Sequence, residues 1–252
     1  MKSIFLRMVA AAMFLFLGAC LGGREEFWFE SNGSGRLEAE YEIPAFAIAS
    51  LGGEVKLRKL IGDFFAQEPG VYLDDFAVES KGGQAVLKLR ARFDSVLQLS
   101  KLIEHSKEKT GAESLPKPML KLFGDVKVKR AGLSVDFHRR IDPSQVFAGG
   151  LLSPSQDQMK GYKLEYIMHL PTKATQSNAH QVQDDGHTLI WSYALADAMK
   201  QPAETNFVTP IPIPLWAWFT PTIALLPIWW LWKRKRKAQR LSHNAVNTGA
   251  GT

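Results

Sequence analysis

The chain has 252 residues, 46% hydrophobic and 22% charged, which excludes a disordered protein through its middle. Its net charge of +6 invites a nucleic-acid reading, but Lys2 and Arg7 at one end and Lys233, Arg234, Lys235, Arg236, Lys237 and Arg240 at the other leave a body, with all 25 acidic residues, at about −2. A single cysteine excludes an internal disulfide and any thiolate metal or redox centre.

The first segment reads as an export signal. Lys2 and Arg7 precede an apolar run from Met8 to Leu17, which ends in Leu17-Gly18-Ala19-Cys20. Those four residues resemble a lipobox. The resemblance implies a diacylglyceryl thioether on Cys20 and cleavage just before it, so residues 1–19 are expected to be removed. The competing reading is a plain signal anchor with an incidental cysteine.

Roughly 185 residues follow, to about Asn206, enough for one domain with a real core. Phe27-Trp28-Phe29 lies in a candidate strand from Glu25 to Glu30. Asn32-Gly33-Ser34-Gly35 is turn chemistry. Leu37, Ala39, Tyr41 and Ile43 then alternate with Glu38, Glu40 and Glu42, a half-buried strand that completes a hairpin. Trp28 is only eight residues from Cys20, so it is expected at the membrane interface. Leu57, Leu60, Ile61, Phe64 and Phe65 make one apolar stripe, which predicts a helix over Glu54 to Phe65. Strands are predicted at Val71 to Glu79 and Gln84 to Phe93. A second helix, capped by Asp94 or Ser95, runs to about Lys109 with the stripe Val96, Leu99, Leu102 and Ile103.

Another hairpin is predicted at Val126 to Arg130 and Leu133 to Arg140. Ile141 to Lys160 is ambiguous, with turn signals at Asp142-Pro143 and Ser153-Pro154. Strands resume at Tyr162 to Leu170 and at His187 to Leu195, and a short strand near Ala179 to Gln183 pairs with the last. The expected fold is therefore α+β: a mostly antiparallel sheet with two amphipathic helices on one face, plus one C-terminal transmembrane helix.

That helix is read from residues 211–232. Leu215 to Trp232 carries no charge and is long enough to cross a hydrocarbon core of about 30 Å with help from its flanks. Trp216 and Trp218 at one end, and Trp229, Trp230 and Trp232 at the other, form two aromatic belts. The basic block from Lys233 puts residues 233–252 on the cytoplasmic side, so the body lies outside, facing the periplasm or the cell exterior from the cytoplasmic membrane.

Nothing in the body announces catalysis. No GxSxG elbow, phosphate cradle or paired-histidine metal spacing occurs, and no cofactor or metal is expected. His169, His180 and His187 could meet at one sheet end, which keeps an envelope enzyme in view. Solvent-facing strand histidines are the plainer reading.

The overall plan, together with the segment Leu170 to Leu195, resembles the LppM-type bacterial lipoproteins. There Pro171 opens a polar stretch to Ser177-Asn178-Ala179, followed by Asp185-Gly186-His187-Thr188 and Trp191. This chain departs from the pattern at Ala179, where glycine is usual, and at Thr172. The resemblance implies an envelope domain similar to lipid-binding folds, with no catalytic residues to carry over. The expected function is a membrane-tethered, non-catalytic lipoprotein that binds a lipid or acylated glycan in a groove between the sheet and its helices. The alternative is a scaffold or assembly factor whose partner is another envelope protein.

Overall fold

The computed structural model describes residues 22–81, 83–108, 121, 123–147 and 159–212. The lipobox and the expected span beyond Pro212, including its five tryptophans, lie outside the described residues. Among the described residues no helix is long and apolar enough to cross a membrane.

The fold is α+β with mostly antiparallel sheets. Strands β1 (Gly22–Phe29) and β2 (Gly35–Pro44) form the predicted hairpin. Helices α1 (Ala45–Ser50) and α2 (Gly53–Phe65) follow, then β3 (Val71–Lys81), β4 (Gln84–Phe93) and α3 (Val96–Glu108). The hairpin β5 (Asp125–Ala131) and β6 (Ser134–Ile141) comes next, then α4 (Ser144–Phe147) and β7 (Lys163–His169). The chain continues with β8 (Gln176–Ser177), β9 (Gln181–Gln183), β10 (Thr188–Ala194), α5 (Leu195–Ala198) and β11 (Ala203–Pro210).

These strands make two sheets where the sequence suggested one. The first has seven strands in the order β3-β4-β2-β1-β7-β10-β9, and the second four in the order β5-β6-β11-β8. The pairing of β1 with β7 is parallel; the other pairings are antiparallel. Width explains the second sheet. Seven strands at about 4.8 Å span about 30 Å, whereas two helices of about 10 Å diameter cover about 20 Å. Helices α2 and α3 pack over the β3–β4 side of the wide sheet. The second sheet covers the rest, through rings such as Phe29 against Phe137 and Phe207, each pair of centroids 6.4 Å apart.

The predicted helices hold to within a residue at their starts because their apolar stripes find the core. Leu57, Phe64 and Phe65 of α2 and Leu102 of α3 are almost wholly buried. Ser95 caps α3, its Oγ accepting the Leu97 N–H at 3.3 Å. These buried side chains pack between the helices and the sheet.

Strand β11 was missed, and it carries the folded unit beyond Asn206 to Ile211. Its inward positions are Ala203, Thr205, Phe207 and Thr209, too polar for alternation to show in sequence. Its direction matters. Register sets Gly22 near Lys163 and Ala194 at one end of the first sheet, and Phe29 near His169 and Thr188 at the other. Strand β11 passes Arg139, the partner of Glu25, at Thr205 and meets Phe29 through Phe207; it ends with the Pro210 carbonyl accepting the Thr172 hydroxyl at 2.6 Å. Gly22 and Pro210 therefore leave opposite ends of the domain.

Candidate functional site

Between the sheets lies a buried ion pair. Glu25 on β1 and Arg139 on β6 both point inward, with side chains 3% exposed. The two Arg139 Nη atoms donate to the two carboxylate oxygens at 2.5 and 3.0 Å, and Nε donates to the Phe123 carbonyl at 2.9 Å. The Tyr41 hydroxyl also donates to Glu25. The guanidinium sits 5.1 Å from the Tyr166 ring centroid. Burial opposes the Arg139 charge, yet Glu25 outweighs it and holds the guanidinium above its usual range. Burial first, and Glu25 next, push the Tyr41 and Tyr166 hydroxyls upward. The cluster ties β1 and β2 of the first sheet to β6 of the second.

The outer face of the first sheet is charged, and several of its cations are held by carboxylates. It carries a shallow hollow of about 330 Å³. Arg90 reaches Asp75 at 2.8 Å, Lys88 reaches Glu79 at 2.8 Å, and Arg24 reaches Glu26 at 2.9 Å. On the same face the Trp28 ring stacks on His169 at 5.2 Å, with the Arg36 guanidinium 4.2 Å above its centroid. Strand β1 is extended, so six residues carry Trp28 about 20 Å from Gly22.

The three histidines do not converge. His169 Nε2 bonds to Glu26 at 2.8 Å, and its Nδ1 lies 3.1 Å from the Thr188 hydroxyl, which donates to Asp184 at 2.6 Å. His187 Nδ1 bonds to the Leu170 carbonyl. His180 sits nearer the other end of β10, where its Nδ1 accepts the Ser192 N–H at 2.9 Å. No group of three or more His, Cys, Asp or Glu side chains that could hold a metal occurs among the described residues.

The larger hollow, about 620 Å³, opens on the outer face of the second sheet. Alternation along three strands builds its wall. Lys127 on β5, His138 on β6 and Asn206 on β11 form one cross-strand row; Lys129, Asp136, Val208 and Gln176 form the next. Among the described residues Lys127 and Lys129 make no ion pair, unlike Arg24, Lys88 and Arg90 on the first sheet. The wall thus presents two ammonium groups, one carboxylate, an imidazole and several amides together.

Asn178 fixes one rim. Its side-chain oxygen accepts the Trp191 Nε1–H and the Asn206 backbone N–H, both at 2.8 Å, and its amide nitrogen donates to the Glu204 carbonyl at 2.8 Å. Trp191 is fully buried in the first sheet. Asn178 and Trp191, both picked out by the family resemblance, are thus one clip between the sheets. Ala179 does not adopt the left-handed conformation that would demand glycine.

Geometry defines this class of protein: a two-sheet α+β domain with a polar, partly cationic hollow on its second sheet. No protein-family profile matches the sequence, and no curated protein matches it. By structure it is similar to the folded domain of Mycobacterium tuberculosis LppM, solved by NMR, with a TM-score of 0.45 and 12% identity over 77% of this chain and 91% of that one. It is also similar to the Mu homology domain of Fcho1 from Danio rerio with bound Eps15 peptide, with a TM-score of 0.26 and 12% identity over 77% of this chain and 78% of that one. The first comparison concerns the folded domain and does not extend to Cys20 or the expected span.

Proposed function

We propose that the chain is a membrane-tethered, non-catalytic envelope lipoprotein whose extracytoplasmic domain binds a lipid or acylated glycan by its polar headgroup. The observation that carries this reading is the hollow on the second sheet. Among the described residues its two lysines make no ion pair, they outnumber the one carboxylate of the lining, Asp136, and Gln176, Asn178 and Asn206 beside them supply the donors and acceptors that a hydroxyl-rich, anionic headgroup needs. A phosphate between Lys127 and Lys129 would gain charge-assisted hydrogen bonds. The tether is supported by the sequence alone: Leu17 to Cys20 for the acyl chains, and 211–232 for the span.

The test uses the full chain extracted in detergent. Mass spectrometry of the intact mature protein is expected to begin at acylated Cys20, and an anionic lipid or glycolipid is expected to accompany it. Lys127→Glu with Lys129→Glu is expected to remove that ligand while leaving the fold and the acyl group intact. Retention of the ligand by the double variant would disprove the hollow as its site.

A further inference from the structure

The hairpin of β5 and β6 meets the chain where the expected span begins. The Ile211 N–H donates to the Leu133 carbonyl at 2.8 Å, and Pro210 pairs with Ser134. Leu133 stands in the hairpin turn and is 61% exposed. Arg130 flanks it, its Nε donating to the Gly132 carbonyl at 3.1 Å, which holds the guanidinium at the same tip. A lone exposed leucine is ordinary. This one is tied by a backbone hydrogen bond to the first residue of an apolar run, beside a cation.

We propose that the β5–β6 tip is a membrane foot: Leu133 enters the headgroup region of an anionic bilayer, and Arg130 pairs with lipid phosphate. The proposal rests on the reading of 211–232 as a span. A strand neighbour is about 5 Å away, so a chain that enters the bilayer after Ile211 carries the tip to the surface with it. An apolar side chain there settles about 5–10 Å into the headgroup boundary, and one basic residue strengthens attachment about fivefold. Together with acylation at the opposite end, the foot holds the strands along the membrane.

A nitroxide reports the depth. The full acylated chain, whose one native cysteine is blocked as a thioether, carries either Leu133→Cys or Ala224→Cys, in vesicles of phosphatidylcholine and phosphatidylglycerol. The label at 224 is expected deep in the hydrocarbon, and the label at 133 at the headgroup boundary, relaxed more by oxygen than by a water-soluble nickel chelate. A deep label at 224 with a fully aqueous label at 133 overturns the foot alone. A water-exposed label at 224 overturns the span, and the foot with it. Adding Arg130→Glu is expected to move the 133 label outward in phosphatidylglycerol vesicles and not in pure phosphatidylcholine. Equal depth in both overturns the role of Arg130.

Discussion

Replacing Arg139 with methionine tests the junction between the sheets. Wild type holds Glu25 and Arg139 together where neither reaches water. The substitution leaves a buried carboxylate with the Tyr41 hydroxyl, and a Phe123 carbonyl without its guanidinium donor. Removing one partner of a buried pair costs about 3–5 kcal/mol. For a domain of this size that lowers Tm by roughly 6–20 °C. Adding Glu25→Leu removes the stranded charge, so the double variant should be more stable than Arg139→Met alone. Calorimetry and urea unfolding of all four proteins measure the cycle. A single-variant loss below about 1 kcal/mol, or two losses that simply add, would refute the reasoning.

Three further outcomes follow from the geometry. Asn178→Ala removes three hydrogen bonds and strands the buried Trp191 Nε1–H, for a loss of about 2–4 kcal/mol; a shifted indole N–H resonance should accompany it, and an unchanged one counts against the clip. A Cβ on Gly35 would lie 2.3 Å from the Trp28 carbonyl and 2.5 Å from the Phe93 ring, so Gly35→Ala should cost about 1–3 kcal/mol in urea unfolding, and a neutral result would contradict the close hairpin. Burial raises the Glu26 carboxyl, but hydrogen bonds and charges from His169 and Arg24 hold it below its ordinary value of 4.5. Its contribution is thus present above pH 4.5 and lost as the pH falls through the lower folded value. The advantage of wild type over Glu26→Gln should therefore shrink during acid titration, and an advantage constant with pH would contradict the His169–Glu26 contact.

Local periodicity by itself determined the elements whose two faces differ. The alternation from Leu37 to Ile43 and from Ala85 to Phe93, and the stripes of α2 and α3, are set by neighbours a few residues away, so each announces its buried side. It does not announce what covers that side. Glu25 interrupts the apolar face of β1 and is intelligible only beside Arg139, 114 residues later. Strand β11 hides its inward face behind threonines, and the Asn178–Trp191 clip joins two residues whose spacing fits no repeat. Only the tertiary structure decided the division into two sheets, the lysine-lined hollow and the placement of Gly22 and Pro210 at opposite ends of the domain. The physical reason is that a residue pattern fixes which surface is apolar, whereas the partner of that surface depends on width, shape and charge brought together across the whole chain.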